Sequence, residues 1–141
     1  MKLIINTDGG ARGNPGPAGI GVVVADESGA MLGLHKKYIG KATNNSAEYQ
    51  ALILALTEVA KLDAADIIVN MDSQLVVRQM QGKYKIKDPG LKILAAEALK
   101  LIKNFRQVHF KYVPREQNRQ ADLLVNEAID EAVESSLNLK P

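Results

Sequence analysis

The spacing of apolar residues changes period near residue 45, and that change restricts the chain to folds in which a run of strands is followed by alternating helices and strands. Lys2 to Thr7 is rich in β-branched and apolar side chains and runs into Asp8-Gly9-Gly10, which reads as a strand closed by a turn signal. Ile20 to Ala25 and Met31 to Ile39 read as two more strands joined by Asp26-Glu27-Ser28-Gly29. Three successive strands predict an antiparallel meander. Leu52, Ala55, Leu56 and Val59 then fall at i, i+3, i+4 and i+7, predicting a helix from Ser46 to Lys61 with Asn45 as its N-cap. Ile67 to Met71 has the look of a parallel strand covered on both faces. A short helix from Ser73 to about Met80 is expected next, and Leu91, Leu94, Ala95, Ala98 and Ile102 outline another. Val108 to Val113 is the last strand, and Asn118 to Glu134 the last helix. The order implies an α/β fold with a mixed sheet, an antiparallel edge and helices packed over it. Residues 1–135 are expected to form one domain, and 136–141 a loose C-terminal tail.

Composition narrows the chemistry. The 141 residues are 46% hydrophobic and 24% charged, enough for one real core and too apolar for a disordered chain. Cysteine is absent, which excludes disulfides, a thiolate nucleophile and Cys-bound zinc. With only His35 and His109 as imidazoles, any metal site must rest mainly on carboxylates, which select hard cations. The N-terminus reaches Asp8 too soon for a signal peptide, and no stretch approaches the ~20 apolar residues of a membrane span, so a cytoplasmic location without membrane contact is expected.

Four acids occupy places where the local pattern expects neutral side chains. Ile4-Ile5-Asn6-Thr7-Asp8 and Ile68-Val69-Asn70-Met71-Asp72 share the pattern Ile-x-Asn-x-Asp in the same phase. If the two strands are parallel neighbours, Asp8 and Asp72 leave one face at one carboxyl end, with backbones ~4.8 Å apart. Glu48 lies one turn before Leu52 on the apolar stripe of its helix, and Asp122 lies on the inward stripe of the last helix. Three of them also have a plainer reading, while an inward acid such as Asp122, past the cap, has no routine purpose. Glu48 is three residues after Asn45, which is capping-box spacing, Asp72 can cap the helix that follows, and Asp8 can be a turn residue before two glycines. Gathered in one cleft, however, four like charges repel unless cations neutralise them. Divalent ions ~4 Å apart can clamp both oxygens of a phosphodiester displacement, so the set points to metal-assisted phosphoryl transfer.

Thr7-Asp8-Gly9-Gly10 with Asn14-Pro15-Gly16, Thr43-Asn44-Asn45-x-Ala47-Glu48, Asp72-Ser73-Gln74 and Asn118-x-x-Ala121-Asp122 strongly resemble type 1 ribonuclease H, in its compact form without a basic handle. The resemblance spans nearly the whole chain. It implies a ribonuclease H-like fold, with a five-stranded mixed sheet of three antiparallel strands then two parallel ones, flanked by helices. It also implies a monomer that cuts the RNA strand of RNA–DNA hybrids to 5′-phosphate and 3′-hydroxyl ends with two Mg²⁺ or Mn²⁺ ions, requiring no protein partner. Asp8, Glu48, Asp72 and Asp122 would be the catalytic, metal-binding acids. Gly9, Gly10, Asn14, Thr43, Asn44, Asn45 and Gln74 would meet the hybrid, whose 2′-hydroxyls suit amide side chains that both donate and accept.

Two features depart from that pattern. The segment between the last strand and last helix contains no His, so Arg115 and Glu116 are the candidates for an auxiliary role there. The handle region is reduced to Lys83, Tyr84 and Lys85 with nearby Lys87, and the chain has no Trp. Basic residues interleaved with an aromatic can still touch phosphates and stack on a sugar. Two other readings are a hybrid-binding module with weak or no turnover and a different nuclease of the same superfamily.

Overall fold

A computed structural model describes residues 1–138. Strands β1 (Lys2–Ala11), β2 (Gly16–Asp26) and β3 (Met31–Ala42) form the meander, followed by helix α1 (Asn44–Val59) and strand β4 (Asp66–Met71). Helices α2 (Gln74–Met80) and α3 (Pro89–Ile102), strand β5 (Gln107–Tyr112) and helix α4 (Arg119–Asn138) complete the chain. The five strands lie in the order β3-β2-β1-β4-β5. β1 is antiparallel to β2, and β2 to β3, while β1–β4 and β4–β5 are parallel. The mixed sheet expected from the sequence is the one present.

Leu3, Ile5, Val22, Val24, Ile67, Val69 and Met71 alternate onto one face of the sheet and bury against Leu52, Leu56 and Val59 of α1. On the other face, α4 lies over the meander, with Ala121 and Leu124 packed against Val23. β4 was expected to be covered on both faces, but only Ile67, Val69 and Met71 are fully buried, while Ile68 and Asn70 are half-buried. Since α4 sits over β1 to β3, the same face of β4 stays partly open.

Several boundaries differ from the sequence reading, each for a local reason. β1 does not end before Gly9-Gly10, because Gly9 pairs with Ile20, Gly10 with Gly19 and Ala11 with Ala18. At Gly9 the glycine answers a close approach, since a Cβ there would stand 2.3 Å from the carbonyl carbon of Ala47 in α1. The N-cap of α1 is Thr43, whose Oγ1 accepts from the Ser46 amide, and not Asn45. Ser73, not Asp72, caps α2 by accepting from the Val76 amide. α4 continues past Glu134, so residues 136–138, expected to be loose, are helical, and residues 139–141 lie outside the described residues. No helix among the described residues is long and apolar enough to cross a membrane.

α4 meets β2 through missing side chains. A Cβ at Gly21 would stand 2.4 Å from the Ala121 carbonyl oxygen and 2.8 Å from Leu124 Cβ, both on α4. Gly21→Ala is therefore expected to cost about 1–3 kcal/mol in urea unfolding. Gly10→Ala, whose added carbon would meet Val125 Cγ1 at an ordinary 3.7 Å, should stay within about 0.5 kcal/mol of wild type. Equal losses for the two variants would contradict this account of the α4 packing.

Candidate active site

Parallel pairing sets Asn6 opposite Asn70 and Thr7 opposite Met71. One residue further on, Asp8 and Asp72 therefore leave the same face of adjacent strands, as the repeated pattern requires. Gly9 lets the second turn of α1 come against β1, which brings Glu48 beside Asp8. Single carboxylate oxygens of Asp8, Glu48 and Asp72 all lie within 4.8 Å of one another. Asp122, in the first turn of α4, adds its charge to Asp8 and lines the same cleft of about 480 Å³. The capping-box reading of Glu48 falls with the cap itself, because Thr43 caps α1 and Glu48 is buried against Asp8.

The electrostatics follow from crowding and burial. Asp8 is 6% exposed and Glu48 8%. Burial above all, then the Asp72 charge and Asp122, push the Asp8 carboxyl from 3.8 up to about 8. Burial and the charges of Asp8 and Asp72 hold Glu48 well above the ordinary carboxylate range. Asp72 is raised chiefly by burial, an effect that its hydrogen bond from Asn118 opposes. Glu48 Oε2 is buried without a hydrogen-bond partner among the described residues. An unpartnered buried oxygen among further carboxylates is a misfit by itself and suits a divalent cation, which takes oxygen ligands and cancels the repulsion.

The remaining candidates divide between the cleft and its surroundings. Gly9, Gly10, Asn44, Asn45 and Arg115 line the cleft with the acids. Asn14 Oδ1 accepts from the Asn44 amide at 3.1 Å, and Asn44 Oδ1 accepts from the Ala11 amide at 2.8 Å, so these two side chains tie the loop after β1 to the start of α1. Thr43 is engaged in its cap. Gln74 is exposed in the first turn of α2, outside the cleft lining. Lys83, Tyr84 and Lys85 are exposed between α2 and α3 and are likewise not drawn into it. Arg115 and Glu116 belong to a short 3₁₀ turn, and Arg115 Nη2 stands 3.7 Å from Asp122 Oδ1. His109 is exposed on β5, as its place on the alternating polar face predicts.

Sequence reasoning did not single out Arg12, which lines the cleft and pairs with Asp130 at 2.7 Å. It also passed over Asn118 except as part of a motif. Asn118 is 1% exposed, and its amide donates to the Thr7 carbonyl at 2.8 Å. A polar residue just ahead of an amphipathic helix reads as an ordinary cap, so little in the sequence marked it.

This sheet, with acids at two parallel strand ends and in the early turns of two helices, defines a ribonuclease H-like domain. The sequence matches the reverse transcriptase-like protein family over residues 6–128. It is 49% identical over 138 residues to a bifunctional protein of Mycobacterium tuberculosis, covering 96% of this chain and 38% of that protein. It is 30% identical to a ribonuclease H of Lachnoclostridium phytofermentans, covering 92% of this chain and 93% of that one. Among solved structures it is similar to LC11-RNase H1 in complex with an RNA/DNA hybrid, with a TM-score of 0.90 and 51% identity over 93% of this chain and 99% of the other. The chain belongs to the type 1 ribonuclease H family, whose members are metal-dependent in general. It spans well under half the length of the mycobacterial relative.

The crowded acids have a consequence for stability. Because Asp8 holds its proton more tightly folded than unfolded, its contribution is complete below about pH 4 and is lost as pH rises towards 8. With chelator present, Asp8→Asn should be more stable than wild type at pH 9 by at least about 1 kcal/mol, with a smaller difference at pH 4. Millimolar Mg²⁺ or Mn²⁺ should narrow the gap at pH 9 by stabilising the wild type. Urea unfolding at the two pH values checks this, and a variant less stable than wild type at pH 9 without metal would contradict it.

Proposed function

We propose that this chain is an endoribonuclease that hydrolyses the RNA strand of RNA–DNA hybrids to 5′-phosphate and 3′-hydroxyl ends, with Mg²⁺ or Mn²⁺ as cofactor, two ions per site. The observation that carries the reading is the cluster of three carboxylate oxygens within 4.8 Å, two of them on buried side chains and one of these side chains with an orphaned oxygen. Asp8, Glu48, Asp72 and Asp122 would hold the ions. When bound, such ions supply Lewis-acid activation of the attacking water and of the leaving 3′ oxygen.

The residues of the chain do the rest. Asp8 is crowded by all three other acids and is the natural shared ligand. Glu48 faces the cleft beside Asn44 and Asn45, where a carboxylate and amides can bond 2′-hydroxyls without reading base sequence. Asn14, Gln74 and the Thr43 hydroxyl would extend the contact along the minor groove and a DNA phosphate, with Gly9 and Gly10 on the cleft floor. Arg115, at the cleft mouth, is placed to meet a phosphate, with Glu116 beside it, and Lys83, Tyr84 and Lys85 offer a second, outlying contact to the DNA strand. All four acids come from one chain, so the site needs no partner subunit. A monomer fits that arrangement.

A labelled RNA–DNA hybrid incubated with the protein and Mg²⁺ or Mn²⁺ is expected to be cut in its RNA strand, in preference to double-stranded RNA and four-way DNA junctions. Asp8→Asn should lower kcat by about 100-fold or more. Binding without cutting at any metal concentration would identify a hybrid-binding module instead, and preference for junctions a different nuclease. Full activity in Asp8→Asn would also overturn the proposal.

A further inference from the structure

The repeated Ile-x-Asn-x-Asp pattern contains two asparagines that the proposed chemistry does not use. Asn6 and Asn70 are register partners on β1 and β4, on the face that carries Asp8 and Asp72 one step further along. Asparagine is a poor strand former, and at the preceding step of the same face the chain places Ile4 and Ile68.

The two amides form a directional chain. Asn70 Nδ2 donates to Asn6 Oδ1 at 3.3 Å, which leaves Asn6 Nδ2 to donate to Asn118 Oδ1 at 3.1 Å and to the Gln117 carbonyl at 3.3 Å. Asn118 Nδ2 in turn donates to the Thr7 carbonyl at 2.8 Å, and the Asn118 carbonyl accepts from the Asp122 amide at 3.1 Å. The side chains therefore link the floor of β1 and β4 to the first turn of α4. The link is incomplete at its far end, because Asn70 Oδ1 is buried with no partner among the described residues. A pair of half-buried amides with one oxygen unsatisfied is a cost to the fold that an apolar pair would avoid.

We propose that Asn6 and Asn70 are positioning residues, which set the orientation of Asn118 and so hold the first turn of α4, with Asp122, against the strand ends that carry Asp8 and Asp72. The functional part of this proposal rests on the hydrolytic reading above. Asn70 fixes which end of the Asn6 amide faces Asn118. Without it, Asn6 can turn its amide over and present an oxygen to the Asn118 oxygen.

The test is the double variant Asn6→Leu/Asn70→Leu, which removes both partners of the Asn6–Asn70 bond and withdraws the Asn6 donor from Asn118 Oδ1. Its urea midpoint is expected to stay close to that of wild type, because the gain from replacing two half-buried amides by an apolar pair is offset by the Asn118 oxygen left without its donor. At saturating hybrid and metal, kcat should fall about 10- to 100-fold with KM for the hybrid little changed, the pattern of a displaced reacting group and not of lost substrate contact. Hydrogen–deuterium exchange should rise in residues 114–122 and stay unchanged in α3. Asn70→Ala, which deletes only the far end of the chain and an oxygen already unsatisfied, should show the same changes to a smaller degree and serves if the double variant does not fold. Wild-type kcat together with unchanged exchange in 114–122 would overturn the proposal. If the wild-type protein cuts no hybrid, the hydrolytic reading fails by itself, while the exchange measurement still decides whether the two amides hold the 114–122 segment.

Discussion

The parallel pairing of β1 with β4 places two carboxylates side by side at the carboxyl ends of neighbouring strands, and the rest of the molecule is arranged around that repulsion. A sheet whose central strands carried only Val and Ile to their ends would be easier to build. Here the strands end in Asp8 and Asp72, and two helices add Glu48 and Asp122 to the same cleft. Burial raises Asp8, Glu48 and Asp72 above the ordinary carboxylate range, so the folded chain without cations is held in an unfavourable state of charge near neutral pH. A bound cation would turn that cost into affinity, so the crowding at the site and its proposed chemistry have one origin.

Close backbone approach makes the crowding possible. Gly9 lets α1 rest on β1, and Gly19 and Gly21 let α4 rest on β2, where Cβ atoms would stand within 2.8 Å of the Val125 and Ala121 carbonyl oxygens. The helices thereby deliver Glu48 and Asp122 from opposite faces of one sheet to one end of it. The apolar core holds this geometry from below, since Leu3, Ile5, Val69 and Met71 are fully buried in the same strands that carry the acids. Along each central strand one face packs the core, and the other runs from Ile through Asn to the acid at the carboxyl end.

Much of this was legible in the sequence, and the failures have physical causes. Apolar, β-branched runs between turn signals located the strands, and helical period located α1 and α3, because burial selects both the residue types and their spacing. Element ends were less legible. Gly9 and Gly10 carry the composition of a turn, yet they sit in a paired strand because a helix presses on Gly9 and the β2 ladder continues past them. Thr43 and Asn45 are both able caps, and backbone geometry at Thr43 decides between them. The four acids stood out because each interrupts an apolar pattern. Asn118 and Arg12 did not, since a polar residue before a helix or in a glycine-rich loop is ordinary until something folds against it.

By itself the sequence determined the alternation of strand and helix, the mainly carboxylate ligand chemistry that follows from having no cysteine and only two histidines, and the shared phase of Asn6-x-Asp8 with Asn70-x-Asp72. These are local properties, set by side-chain type and spacing along the chain. Only the tertiary structure decided that the two patterns stand in register, that Glu48 is buried against Asp8 and not spent on a cap, and that Asn118 bridges β1 to the turn bearing Asp122. Each of those outcomes depends on contacts between residues some 40 to 110 positions apart, and which distant groups meet is settled by the packing of whole elements.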